Sequence, residues 1–306
     1  MPTRKEVTAR INSVKNIRKI TRAMEMVAAA RLRRAEQRID AMRPYAQAIR
    51  KLTREVAAND ETMAKRIPLM ETRDVSKVGI LLVTGDRGLA GAFNTQIIRE
   101  GVRLKREYSR EESAETVYRV VGRRGSSTMT FRGENVEESY IGFTERPAFT
   151  DARDISRDLT AAFRDGDVDK VDIVYNRYVS PLTQYVRRQT LLPMSEAEVF
   201  GEGIPEEEGY ADPDLAEAHE RSDMIHEPDA ETLLPMLIEE YVDLSVYRAL
   251  LESSASELGA RMTAMRSASE NAEEMIDDLT REMNRVRQAE ITQEILEVVA
   301  GAEALG

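Results

Sequence analysis

The chain has 306 residues, 42% hydrophobic and 32% charged but only 5% aromatic, with no Cys, no Trp and two His. Zero Cys excludes disulfides, thiolate zinc sites, iron–sulfur clusters and cysteine nucleophiles, and His219 and His226, set among Asp and Glu, make no multi-histidine metal centre. The net charge of −11 hides a split, with 15 Lys+Arg against 6 Asp+Glu in residues 1–60 and 6 against 18 in residues 227–306.

A basic head and an acidic tail serve two partners, or attract each other across a helical seam. The first 20 residues carry Arg4, Lys5, Arg10, Lys15, Arg18 and Lys19 with no apolar core, and no window approaches 18 apolar residues. The expectation is a soluble intracellular chain with no membrane span and no secretory signal.

The first predicted element is one helix over 1–60. From Thr3 to Ala58 there is no Gly, and the one interior Pro is Pro44, where a kink or local relaxation is expected. Apolar Ile17, Ile20, Met24 and Val27, then Ala41, Tyr45, Ala48 and Leu52, recur at three–four spacing and predict a seam. A helix of roughly 55 residues is about 80 Å long, more than a globular domain needs.

Residues 61–200 read as an open, Rossmann-like α/β domain. Val78–Val83 is a strand of the buried parallel kind, leading through Thr84–Gly91 into a helix from Ala92 to Tyr108. Thr116–Val121 is a second strand, Phe149–Gly166 a helix, Val171–Asn176 a third strand and Gln184–Leu192 a fourth. Alternating strands and helices predict the open sheet.

Residues 201–232 are crowded with Asp and Glu against the single Arg221, are broken by Pro205, Pro213 and Pro228, and read as a mobile acidic linker. Residues 233–306 then form the second long helix. Its seam runs Leu237, Tyr241, Leu244, Arg248, Leu251, Ala255, Leu258, Met262, Met265, Ser269, Ala272, Ile276, Leu279, Met283 and Val286. Four–three spacing over six heptads predicts a coiled coil, most simply with the N-terminal helix in antiparallel sense.

Chemistry is sparse. Gly85, Gly88 and Gly91 follow a strand and precede a helix, as in phosphate cradles, but their spacing is neither the dinucleotide fingerprint nor a Walker loop. Arg31–Arg38 is a basic run with no interleaved aromatics, a weak signal for nucleic acid. No nucleophile–base pair stands out, so no catalytic residue, metal or cofactor is expected.

Several segments resemble one family along the whole chain. Ile17-Arg18-Lys19-Ile20-Thr21-Arg22-Ala23-Met24-Glu25-Met26-Val27-Ala28-Ala29-Ala30 and Arg43-Pro44-Tyr45 resemble the N-terminal signature of the gamma subunits of F-type ATP synthases. So do Val83–Gly91, Glu227-Pro228-Asp229, Ser253–Ala268 and, most specifically, Arg287–Ile295. Glu290 stands where many members have Ser, and the acidic 201–232 stretch is longer than usual.

The resemblance implies a central rotor stalk that couples proton flow to ATP synthesis and is itself no enzyme. Its implied partners are the alpha and beta subunits of the head, epsilon and the membrane c-ring, at the cytoplasmic face of the membrane, with no nucleic acid and no small-molecule substrate. It also implies that Met24, Arg261, Arg287, Gln288, Thr292 and Glu294 meet the head, while Ile17, Ile20, Val27, Leu258, Met262, Met265, Ile276, Leu279 and Met283 form the seam. The competing readings are a nucleotide-dependent enzyme whose α/β domain binds phosphate at Gly85–Gly91, a coiled-coil scaffold with a nucleotide-binding α/β domain, and a free coiled-coil scaffold such as a nucleic-acid organiser using Arg31–Arg38.

Overall fold

The computed structural model describes residues 3–57, 67–195 and 229–303. Helix α1 spans Arg4–Ala57 and continues through Pro44. After a single 3-10 turn at Pro68–Met70 come β1 (Lys77–Val83), α2 (Phe93–Glu111), β2 (Glu115–Val121), α3 (Arg123–Phe131) and β3 (Val136–Tyr140). Then follow α4 (Phe149–Arg164), β4 (Lys170–Tyr178), β5 (Gln184–Leu192) and α5 (Ala230–Glu303). The acidic stretch read as a linker lies outside the described residues, except that Asp229 is described and Ala230–Thr232 already belong to α5.

The sheet has five strands in the order β3-β2-β1-β4-β5, with four parallel and β5 antiparallel to β4. The four-strand expectation is thereby corrected. Helix α3 was hidden because Arg-Arg-Gly-Ser-Ser-Thr reads as loop chemistry, and β3 because Val-Glu-Glu-Ser-Tyr is an exposed edge strand without an apolar run. Strands β1 and β2 are buried on both faces and read as near-continuous apolar runs, as parallel interior strands must.

The chain divides into two compact units, Leu32–Ala260 and the pair of segments Met1–Arg31 and Arg261–Gly306. In the larger unit, one face of the sheet packs α4 together with Ile49, Leu52 and Val56 of α1 and Leu234, Ile238, Val242 and Val246 of α5. The other face packs α2 and α3 through Phe93, Ile97, Leu104, Tyr108 and Met129.

The stripe that α1 buries differs from the one its apolar residues suggest. Buried and half-buried positions run Val7, Ile11, Val14, Arg18, Thr21, Glu25, Ala28, Leu32, Ala35, Ile39, Met42, Ala46, Ile49, Thr53 and Val56. That is an unbroken four–three repeat. Ile17, Ile20 and Val27, expected in the seam, are instead half or more exposed, at 52%, 60% and 51%. They form a second stripe on the helix surface, and hydrophobicity alone drew the eye to it. The α5 positions behave otherwise: every seam residue from Leu237 to Val286 is buried or half-buried, and Leu251–Gly259 are buried on all sides.

Candidate functional site

In open α/β sheets the ligand crevice lies at the carboxyl ends of the strands, where the strand order reverses. Here that reversal falls between β1 and β4. Helix α5 occupies it. Ser253 donates from Oγ to the Val83 carbonyl at the end of β1 (3.3 Å), Ser256 to the Asn176 carbonyl of β4 (3.1 Å), and Ser254 to the Glu145 carbonyl (3.1 Å). Only a void of about 10 Å³ remains there, room for at most one water, beside Thr84, Thr144, Ser253 and Glu257.

The glycine turn belongs to the same construction. A Cβ built on Gly85 would lie 2.7 Å from the Glu257 carboxylate, which is itself 1% exposed. A buried carboxyl group thus fills the space through which a phosphate would need to approach, which leaves no room for a phosphate cradle. Asp86 ties three loops: its carboxylate accepts from the Arg123 amide (3.0 Å), the Gly142 amide (2.9 Å) and the Thr144 amide and hydroxyl (3.2 and 3.1 Å). Gly85 donates its own amide to Asn94 Oδ1 of α2 at 2.8 Å. These bonds fasten the carboxyl ends of β1, β2 and β3 into a socket for α5. Gly259 serves the same fit, since a Cβ there would meet Gln184 Nε2 at 2.9 Å and the Pro181 carbonyl at 3.3 Å.

The basic run Arg31–Arg38 divides in the same way. Leu32 and Ala35 are buried, Arg33 and Arg34 are exposed, and Glu36 accepts a hydrogen bond from the Tyr178 hydroxyl. Burial, and then that bond to Glu36, push the Tyr178 phenol up, so it stays protonated at neutral pH.

The smaller unit is a pair of helical segments. Thr8 lies against Met283, Arg18 bonds Glu273 (2.9 Å), Thr21 bonds Ser269 (2.7 Å between hydroxyls) and Glu25 bonds Arg266 (3.1 Å). Numbers fall along one segment as they rise along the other, so the two run antiparallel. Val7 and Ile11 pack with Ile276, and Val14, Leu279 and Met283 join them. Nearer the middle the seam turns polar: Glu25, 6% exposed, is held between Arg22 (2.9 Å) and Arg266. Polar layers of this kind specify register at some cost in stability.

The residues expected to meet partners divide into two groups. Met24 is half-buried and Arg261 is 6% exposed, beside the buried Met262 and Met265. Leu258, in the larger unit, is buried as well. Arg287, Gln288, Thr292 and Glu294 are exposed, and Thr292 bonds only the Gln288 carbonyl of its own helix (2.9 Å). Arg4, the first residue of α1, reaches Glu290 (3.6 Å). Beyond that point α5 runs on with Ile291, Ile295, Leu296, Val298 and Val299 exposed.

The sequence reading missed the Thr21–Ser269 and Glu25–Arg266 layer and the Ser253–Ser256 seat. The four–three phase through Val7, Ile11 and Val14 was available to locate the first. Nothing local marks the second, because serine in a helix is ordinarily a solvated residue. Among the described residues no helix is long and apolar enough to cross a membrane.

A profile of the ATP synthase family matches residues 3–305. The ATP synthase gamma chain of Rubrobacter xylanophilus is 42% identical over 100% of this chain and 99% of its own length. That of Moorella thermoacetica is 40% identical over 98% of each, and that of Acidothermus cellulolyticus 42% identical over 97% and 95%. Among solved structures, a chain of the Tetrahymena thermophila mitochondrial ATP synthase central stalk and c-ring is 28% identical, with TM-score 0.58 over 82% of this chain and 99% of that one. A chain of the Euglena gracilis mitochondrial ATP synthase shares the fold at 20% identity, with TM-score 0.66 over 99% and 94%.

Proposed function

The chain belongs to the ATP synthase gamma chain family, and from that premise we propose that it is the central rotor of an F-type ATP synthase. Proton flow turns a membrane c-ring, the ring turns this chain, and the chain drives the beta subunits through their binding states for ADP, phosphate and ATP. It performs no chemistry itself. It sits as a peripheral subunit at the cytoplasmic face of the membrane, with epsilon and the c-ring at its α/β domain and the alpha and beta subunits around its paired helices.

The observation that carries this reading is the antiparallel pair of helical segments, beyond which Ile291, Ile295, Leu296, Val298 and Val299 are left exposed. Such a surface is costly to leave in water and suits a bearing inside a protein sleeve. The exposed stripe Ile17, Ile20 and Val27 suits the same environment, rubbing against the head rather than sealing the pair. Met24 and Arg261 face an acidic lever of beta, and Arg287, Gln288, Thr292 and Glu294 form a polar catch for loops of the head. The filled crevice at β1 and β4 favours a mount for α5 over a nucleotide site.

Co-purification of the tagged full chain from its native membranes tests the assignment. Alpha- and beta-sized bands in about threefold excess over the tagged chain are expected. Recovery of the chain alone, or with nucleic acid, would overturn it.

A further inference from the structure

We propose that the tip of the β4–β5 hairpin is a further docking point for the head: a rigid apolar knob, Val179 and Leu182, covered by the lower rim of the ring of alpha and beta subunits. This inference rests on the rotor reading and adds to it a contact outside the paired helices. Strand β4 pairs with β1 only as far as Val174, whereas its pairing with β5 runs on to Tyr178 and Gln184. Residues 175–178 and 184–187 therefore form a two-stranded ribbon beyond the end of β1. A ribbon of two strands is marginal in water on its own.

This ribbon is braced from several sides. The Asn176 carbonyl accepts from Ser256 Oγ of α5 (3.1 Å), and the Tyr178 hydroxyl donates to Glu36 of α1. Gln184 Nε2 donates to the Ser180 and Pro181 carbonyls (3.1 and 2.8 Å). It lies so close to α5 that a Cβ on Gly259 would meet it at 2.9 Å, so the helix gives up a side chain to seat the hairpin. The turn is Ser180-Pro181-Leu182-Thr183, with Ser first and Pro second as tight turns favour. The Thr183 amide donates to the Ser180 carbonyl and to Ser180 Oγ (both 3.1 Å), and the Val179 and Ser180 amides donate to the Thr183 carbonyl (3.3 and 3.1 Å).

On this stiff frame stand Leu182, 76% exposed, and Val179, 55% exposed. One exposed leucine needs no explanation, but an apolar pair held out on a fastened turn is a surface prepared for a partner. A knob ordered in advance also avoids the entropy that a mobile loop would lose on docking. Its place along α5 names the partner. Ser253 meets the end of β1 at the Val83 carbonyl, Ser256 meets β4 at Asn176, and Gly259 meets the tip at Pro181 and Gln184. Each step of three residues advances about 4.5 Å along the helix. Two residues after Gly259, at Arg261, begins the segment of α5 assigned to the head. The knob is thus continuous along α5 with the stretch that the alpha and beta subunits surround, and an apolar patch on their rim is the chemistry that fits it.

The test installs photoreactive p-benzoylphenylalanine in place of Leu182 in the tagged full chain and irradiates the assembled, membrane-bound enzyme. A second variant carries the same group in place of Leu296, 62% exposed near the end of α5, as a reference. From position 182 the expected product is a covalent adduct of this chain with alpha or beta. Adding Val179→Asp should lower its yield severalfold, because a carboxylate is costly to bury in an apolar contact. The adduct from position 296 should not change, and neither should the melting of the free chain, since both tip side chains are exposed. Three results would overturn the proposal while leaving the rotor reading in place, each with the adduct from 296 present. They are no adduct from 182, an adduct from 182 only with epsilon, a c subunit or a second copy of the chain, and an adduct from 182 indifferent to Val179→Asp. Absence of alpha and beta adducts from both positions would overturn the two together.

Discussion

Gly125 is the most informative single position in the socket that holds α5. It lies in the first turn of α3, where Gly→Ala ordinarily stabilises a helix by about 1 kcal/mol. Here the sign should reverse. A Cβ at Gly125 would sit 2.3 Å from Thr84 Oγ1, 2.7 Å from Thr84 Cγ2 and 2.9 Å from Val120 Cγ1. Thr84 is 2% exposed and cannot simply swing away, because its hydroxyl donates to the Val121 carbonyl (2.6 Å) and accepts from the Gly125 amide (3.0 Å).

Moving that hydroxyl breaks two buried hydrogen bonds at about 1 kcal/mol each, and the crowding adds about 1–3 kcal/mol. The net expectation for Gly125→Ala is a loss of about 2–4 kcal/mol. In a Thr84→Ala background the two closest obstructing atoms are gone and only the 2.9 Å approach to Val120 Cγ1 remains, so the same substitution should cost far less. The cycle should therefore show strong coupling between the two sites. All ten tyrosines lie between Leu32 and Ala260, so urea unfolding followed by tyrosine near-ultraviolet dichroism reports on that unit alone. Additive losses in the double variant would refute the crowding argument and, with it, the account of why glycine stands there.

Three further outcomes are expected. Met24→Lys places a cation beside the half-buried seam and close to the beta lever, so assembled enzyme should keep ATP hydrolysis but pump protons poorly in membrane vesicles; unchanged coupling would contradict that placement. Arg287→Leu with Gln288→Leu should lower turnover or assembly while the free subunit melts as before, since both residues are exposed; a lower melting temperature would make them stability contacts instead. Partial burial works to raise the Asp169 pKa, but its bonds from Ser76 Oγ (2.6 Å) and the Ser76 and Lys77 amides (both 2.9 Å) outweigh that and hold it below its ordinary 3.8. Its contribution is thus present above pH 3.8 and is lost as pH falls through the folded value. The melting gap between parent and Asp169→Asn should be widest at neutral pH and close in acid, and a gap constant with pH would refute it.

The long helices were legible because nothing in them argues otherwise: no Gly from Thr3 to Ala58, and six heptads from Leu237 onward. Strands β1, β2, β4 and β5 were legible from apolar runs or alternation. What escaped was decided by contacts distant in sequence. The α1 stripe passes through Arg18, Thr21 and Glu25, which are acceptable in a seam only because Glu273, Ser269 and Arg266 stand opposite them. Hydrophobicity therefore pointed to Ile17, Ile20 and Val27, which lie exposed beside that stripe. The glycine turn was ambiguous for a similar reason, since the Glu257 carboxylate that fills its approach comes from far along the chain.

The central claim is that this chain turns within a ring of alpha and beta subunits. Ser127 is exposed on α3, and a Ser127→Cys variant would carry the chain's sole thiol, to which a bead can be attached on assembled, surface-held head complexes. On addition of ATP, the account predicts rotation in one direction with three dwells per turn, each turn accompanied by hydrolysis. Hydrolysis at the full rate of the assembled enzyme with the bead attached through this thiol and stationary would contradict it.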